Sequence, residues 1–316
     1  MMEEYVIGID IGGTLARAVV LESTTFEIKD QLTKASSDNG QELVQIIKSL
    51  FRKLEDNTKQ SFASLGLGIA GLAHKSGIVR YSPNLPSLVE FPIADEIKKE
   101  LGIPVVMGND ATVGTIAEWE IGAGKGSENF ALVTLGTGIG TGFVVNGHLL
   151  LGSNGFAGEA GHMTIDVNGP VHLTGQKGPW EYFASGNALN RIVQNEASDG
   201  NYPWAVNKAG NWENVTSEHL SSGVQDLEPD SLRILDNFCL EISKGLINLV
   251  LLLDLDRVVL GGGVCEIGEP LRHGVEKWIE ETLIGSAHRP KIEVKLAKLG
   301  SNAGAIGAAI STTNYF

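Results

Sequence analysis

An α/β fold with two lobes is predicted by three observations. Apolar strands alternate with segments of helical periodicity, glycine turns follow the strands at their C-terminal ends, and 316 residues suffice for two cores at ~150 residues per domain. Residues 6–10 form an apolar strand stopped by Gly12-Gly13, and the strand resumes over 16–21, so the pair reads as a hairpin. Over 41–54 the apolar residues Leu43, Val44, Ile46, Ile47, Leu50, Phe51 and Leu54 recur at helical spacing with one buried face. A strand over 64–69 ends at Gly71. A helix over 93–101, a strand over 104–107 ending at Asn109-Asp110, and a helix over 111–121 follow. A second hairpin opens with the strand 130–135. Helices are expected over 180–196, 230–253 and 269–283, strands over 257–260 and 292–296, and a small-residue helix over 302–310. Residues 198–229, polar and rich in Gly, Asn and Ser, read as a surface excursion.

The two hairpins form a weak internal repeat: VIGIDIGGTLARAVV and LVTLGTGIGTGFVV share the order strand, glycine turn with Thr, strand. Such turns suit phosphate. Glycine lets the backbone approach closely, and amide N–H groups with a Thr hydroxyl donate to phosphate oxygens. Gly12, Gly13 and Thr14 form the first turn; Gly136, Thr137 and Gly138 begin the second. Two such hairpins can grip one polyphosphate from opposite sides. Asp10, at the strand end, suits Mg²⁺ held through water. The second turn lacks the Lys of a Walker A loop. Thr141 stands where the last Gly of a dinucleotide fingerprint belongs, which argues against a dehydrogenase. Taken alone, either turn is also a plain hairpin turn.

Asp110 is a carboxylate at a strand end, placed to accept a hydroxyl proton in phosphoryl transfer; taken alone, the reading as a helix N-cap is the stronger. Gly261, Gly262 and Gly263 let a flat ring lie against backbone, or make a bare strand-to-helix loop. Glu159, His162 and Glu181 are acceptors and a donor suited to a polyol, although a lone His is commonly structural. His74, His148, His219, His273 and His288 show no ligand spacing.

Bulk composition narrows the partners. A formal charge of −14 disfavours nucleic acid and anionic membranes, yet backbone amides and a metal ion can still bind a small anion. Two cysteines, Cys239 and Cys265, make neither a disulfide framework nor a zinc site. The N-terminus lacks the basic start of a signal peptide, and the apolar run 245–253 is too short for a bilayer, which needs ~20 residues. A cytoplasmic protein is expected.

Together these residues resemble the ROK family of sugar kinases and repressors, within the hexokinase and actin-like superfamily, over nearly the whole chain. The resemblance implies two RNase H-like (actin-like ATPase) lobes with a central cleft: residues 1–118 plus the C-terminal helix at about 302–316, and residues 119–301. It implies ATP-dependent transfer of the γ-phosphoryl to a hexose hydroxyl, the 6-OH, with Asp110 as catalytic base. Asp10–Thr14 and 136–142 match the phosphate motifs, and 261–264 the adenosine motif. Gly71, Asn84, Asn109, Glu159, His162 and Glu181 match sugar-contacting positions. Glucose-type hexoses rank first. N-acetylmannosamine, N-acetylglucosamine and 2-keto-3-deoxygluconate are alternative substrates, and a non-catalytic sugar sensor is an alternative role. The chain starts almost on the first strand, which leaves no room for the helix-turn-helix of the family's repressors. The family commonly holds zinc with the His of its GH motif and three cysteines. Here His172, Thr174 and Pro179 stand in their place, so no zinc is expected. Leu15 replaces a common Lys and Thr141 a common Gly. The resemblance also implies a homo-oligomer, a dimer or tetramer.

Overall fold

The computed structural model describes residues 4–313 and Tyr315; residues 1–3, 314 and 316, which the expected first lobe includes, lie outside them. The structure is mixed α/β, in two compact units. The first comprises residues 1–126, 142–158 and 298–316, the second 127–141 and 159–297. The sequence reading divides the chain at 118/119 and 301/302. The compact units divide it at 126/127 and 297/298, and group 142–158 with the first unit.

The first unit contains β1 (Tyr5–Ile11), β2 (Leu15–Glu22), β3 (Ile28–Ala35), α1 (Gly40–Thr58), β4 (Leu65–Ile69), β5 (Leu72–His74), β6 (Ile78–Tyr81), α2 (Ile93–Leu101), β7 (Val105–Asn109) and α3 (Asp110–Glu120). Its sheet runs β3-β2-β1-β4-β7, antiparallel across the first three strands and parallel from β1 through β4 to β7. Side chains alternate across a strand. Ile7, Ile9 and Ile11 of β1 thus share one core with Leu43, Ile47 and Phe51 of α1 and Ile97 of α2. Val6, with Val19 and Leu21 of β2, faces Ile116 of α3 on the other side. Asn39 caps α1 by accepting from the Gln41 and Glu42 N–H groups. Each Leu, Ile or Phe that α1 buries is worth roughly 1.5–3 kcal/mol.

The second sheet repeats the serial order. Its strands β8 (Phe130–Leu135), β9 (Ile139–Val145), β10 (His148–Leu149), β11 (Arg257–Gly261) and β12 (Glu293–Leu296) run β10-β9-β8-β11-β12, with β8, β11 and β12 parallel. The sequence repeat is therefore a repeat of topology. The second unit's helices are α4 (Trp180–Ala184), α5 (Gly186–Ser198), α6 (Pro203–Ala209), α7 (Ser217–Gln225), α8 (Pro229–Leu253) and α9 (Glu269–Thr282). Among the described residues no helix is long and apolar enough to cross a membrane.

Three expectations are corrected. The single helix expected over 180–196 is broken at Ser185, whose extended backbone (φ −88°, ψ 173°) ends α4 and whose hydroxyl caps α5 by accepting the Ala188 N–H. The excursion 198–229 holds α6 and α7, which bury Ala205, Leu220 and Val224, and Tyr202, just before α6, is buried as well. Strands β3, β5 and β6 were not anticipated.

The last helix, α10 (Ala303–Ser311), belongs to the first unit and packs on β1, β4 and α3. Its small residues serve close approach. A Cβ on Gly66 of β4 would lie 1.7 Å from the Ala308 carbonyl oxygen, and one on Gly307 would lie 1.7 Å from that of Val113 in α3. Only glycine permits such contact between backbones.

Candidate active site

In the first unit, β1 delivers Asp10 to the end of the sheet and the turn Gly12-Gly13-Thr14 returns the chain to β2, closed by Gly12 N–H donating to Leu15 O at 3.0 Å. Gly13 and Thr14 are exposed. Asn84 leans on this turn: a Cβ on Gly13 would meet its carbonyl oxygen at 3.0 Å. The Asp10 carboxylate lies against the backbone of Gly68 and Gly304. Although Asp10 keeps some surface, its Oδ1 is sealed from solvent with no hydrogen-bond partner. Burial, and then the charge of Asp110, raise its pKa to about 7, while Arg17 pulls the other way.

β7 ends at Asn109, and Asn109, not Asp110, caps α3. The Asn109 Oδ1 accepts the Ala111 and Thr112 N–H groups at 2.9 and 3.3 Å. Its amide Nδ2 donates to Gly71 O at 3.0 Å, which fastens the turn after β4 to the end of β7. The N-cap reading of Asp110 is thereby answered: the capping work is done one residue earlier. Asp110 Oδ1 accepts the Ala111 N–H at 2.9 Å. Burial raises the Asp110 pKa, opposed by hydrogen bonds from the backbone. Asp10, Gly71, Asn109 and Asp110 are thus assembled at the C-terminal ends of β1, β4 and β7, where open α/β sheets bind ligands.

In the second unit, Gly136-Thr137-Gly138 joins β8 to β9, and Gly136 N–H donates to Gly138 O at 2.9 Å. Gly186, at the start of α5, donates to Gly136 O at 2.7 Å, so the break at Ser185 carries a new helix start onto the turn. Glu181 folds against the same turn: its Oε2 accepts the Ile139 N–H at 2.8 Å, and a Cβ on Gly138 would stand 2.0 Å from that oxygen. Glu159 and His162 flank a single helical turn, 3.9 Å apart. The Ala160 N–H there is held by Thr141 Oγ1 at 3.2 Å.

Gly261 ends β11, and Gly262 turns with φ +85° into the short 3-10 segment Gly263–Ile267. Beside it lies a groove of about 450 Å³ that Gly136, Thr137, Gly186, Gly263 and Val264 help to line. A glycine phosphate turn at one wall and Gly263-Val264 at another fit a nucleoside with its phosphates. Sequence reasoning missed the groove's polar residues Asn187, Asn190, Ser217 and Glu218. The Ser185-Gly186 break was the available signal for the first two, and the last two fell in the stretch read as a surface excursion.

The loop between His162 and α4 is a small hairpin. His172 N–H donates to Gln176 O at 2.7 Å, Gly178 N–H to Pro170 O at 2.8 Å and Ile165 N–H to Gly178 O at 2.9 Å, while Gln176 Nε2 donates to His162 O. Among the described residues no group of three or more His, Cys, Asp or Glu is arranged to hold a metal.

A family model described as the ROK family matches residues 6–314. The glucokinase of Thermotoga maritima is 31% identical over 310 residues, covering 96% of this chain and 95% of that protein. An N-acetylmannosamine kinase of Haemophilus influenzae is 27% identical, covering 96% and 93%. A ROK family glucokinase of Streptomyces griseus, solved with glucose and AMPPNP, superposes with a TM-score of 0.83 at 30% identity, covering 96% of this chain and 98% of that one.

Proposed function

The chain belongs to the ROK family, and on that premise we propose that it is an ATP-dependent hexose kinase that phosphorylates the 6-OH of a glucose-type sugar. The observation that carries the reading is Asp110, a half-buried carboxylate just past the end of β7 whose helix is already capped by Asn109. Asp110 takes the proton of the sugar hydroxyl as the hydroxyl oxygen bonds to the γ-phosphorus. The bond from that phosphorus to the β,γ-bridging oxygen breaks, and the electron pair leaves with ADP. The amides at Gly12, Gly13 and Thr14, and at Gly136, Thr137 and Gly138, are assigned to the phosphates. The groove beside Gly261, Gly262 and Gly263 is assigned to the nucleoside. Asn84, Glu159, His162 and Glu181 are assigned to the sugar.

The fit of a divalent cation rests on Asp10, whose sealed, unpartnered Oδ1 beside Asp110 is a donor in want of a positive partner. Mg²⁺ held there through water would neutralise phosphate charge. An enzyme drawing on ATP belongs in the cytoplasm, and a dimer or tetramer is the assembly we assign, to be weighed by light scattering.

ADP release measured with ATP, Mg²⁺ and a panel of glucose, N-acetylmannosamine, N-acetylglucosamine and 2-keto-3-deoxygluconate tests the reading. Glucose is expected to give the highest kcat/KM; a preference for N-acetylmannosamine would move the chain toward the second relative's activity. Asp110→Asn is expected to bind glucose within a few-fold of wild type and to lose ~10²–10⁴ in kcat. Wild-type turnover in that variant removes Asp110 from the chemistry, and silence of the wild type with every sugar favours a sensor.

A further inference from the structure

We propose that His172 is a positioning residue that holds Glu181 in the orientation in which it meets the sugar; the claim rests on the sugar role assigned to Glu181 above. A carboxylate on a short side chain swings unless both oxygens are engaged. In Glu181 both are. Oε2 accepts the Ile139 N–H at 2.8 Å, and His172 Nε2 stands 3.5 Å from Oε1, with the two side chains only 12% and 18% exposed.

The imidazole is itself fixed. Its backbone closes the neck of the 170–178 hairpin, with the N–H donating to Gln176 O at 2.7 Å and the carbonyl accepting from Gly175 at 2.8 Å. Thr174 Oγ1 lies 3.0 Å from Nδ1. When that hydroxyl donates to Nδ1, the proton of a neutral imidazole is left on Nε2, facing Glu181. The Tyr182 ring meets the imidazole edge-on at 6.4 Å between centroids.

The carboxylate's own anchor is equally firm. Glu181 sits in the first turn of α4 beside Trp180, which is fully buried and donates from Nε1 to Glu241 O at 3.1 Å. Backbone, one oxygen and the ring that faces the other oxygen are all held. The remaining lone pairs of Glu181 are therefore aimed, and an acceptor-only group so aimed selects a hydroxyl donor. Losing a group that orients a metal-ligating side chain costs roughly ten- to a hundred-fold in affinity or activity, and a loss at the lower end is expected here.

The experiment compares the full-length wild type with His172→Ala, His172→Gln and Thr174→Val, reading KM for glucose, KM for ATP, kcat and Tm. The expected result is a rise of about ten-fold in glucose KM for His172→Ala, with ATP KM and kcat within about two-fold. His172→Gln, whose amide can donate from a similar distance, is expected to restore most of the loss, and Thr174→Val to fall between. An unchanged glucose KM in His172→Ala overturns the proposal. So does an equal fall in Tm, kcat and both affinities in the Ala and Gln variants, because that marks a hairpin that has merely lost its fold. Should the wild type release no ADP with any sugar, the kinase reading fails by itself, and glucose titration by calorimetry on the same variants decides the role of His172.

Discussion

Asp10 closes β1 with an oxygen that nothing in the protein satisfies. Its pKa is raised from 3.8 to about 7, first by burial and then by the charge of Asp110. The sign for stability follows. Between pH 3.8 and about 7 the folded state holds a proton that the unfolded chain has released, so this group's stabilisation is whole below 3.8 and is lost as pH rises through 7. A shift of about three units corresponds to roughly 4 kcal/mol. Asp10→Asn removes the ionisation. The variant is expected to melt higher than wild type at pH 8, to keep less than half of that advantage at pH 5, and to be inactive as a kinase. Calorimetric scans at the two pH values check this; a melting difference independent of pH would falsify the linkage. The same burial acts on Asp110. A base must be ionised, so the acid limb of kcat/KM should lie above the ordinary carboxylate range.

At the scale of elements, helix α3 ends in a second buried carboxylate with the opposite character. Glu118 is fully buried. Its Oε2 accepts the Ala123 N–H at 2.7 Å, and its Oε1 accepts the Lys298 and Leu299 N–H groups at 2.9 Å each. One side chain thus ties the exit of α3 to the segment that leads into α10. Glu118→Gln keeps the shape but turns one acceptor into a donor facing an N–H, an unsatisfied arrangement costing about 1–3 kcal/mol, and more where charge was involved. Urea unfolding should register that loss, and an unchanged midpoint would show the tie to be slack. Nothing in the sequence marks Glu118, since its partners are backbone amides, two of them about 180 residues away. Elements with strong periodicity were legible: α1 and α2, the parallel strands and both hairpin turns follow their apolar patterns. The edge strand β3, IKDQLTKA, was not, because a mostly exposed strand whose inner face is only half-buried, at Asp30 and Leu32, carries no apolar alternation. The break at Ser185 was hidden because the apolar residues on either side of it run together as one helix. Of the candidate site, the glycine turns, Asp10 and Asn109-Asp110 could be read from motif and strand end. The Asn109 cap, the sealed oxygen of Asp10 and the His172–Glu181 pair could not, since each depends on contacts made only in the folded chain.

For the molecule as a whole, the decisive feature is that the first unit is completed by the end of the chain. Residues 298–316 return to it after the second unit, and α10 buries Ala305, Ile306, Ala308, Ala309 and Ile310. The interface is backbone on backbone: Gly8 and Gly66 of the sheet receive Ala305, Ala308 and Ala309, and Gly307 receives the Val113 carbonyl of α3. A methyl on Gly307 would lie 1.7 Å from that oxygen, so α3 and α10 must part. Helix α3 starts at Asp110, and a displacement there shifts the proposed base even though Gly307 touches no ligand. Gly307→Ala should therefore cost about 1–3 kcal/mol by overpacking, which in a chain of this size lowers Tm by roughly 1.5–5 °C. It should also lower kcat at least ten-fold, because a small misplacement of a positioned group is expensive in rate. The groove assigned to the nucleoside lies wholly in the second unit, so the KM for ATP should change little. Thermal melts beside initial rates below the new Tm separate the two effects. A destabilised Gly307→Ala that keeps wild-type kcat would mean that α3 yields elsewhere along its length and that the position of Asp110 is independent of the packing of α10.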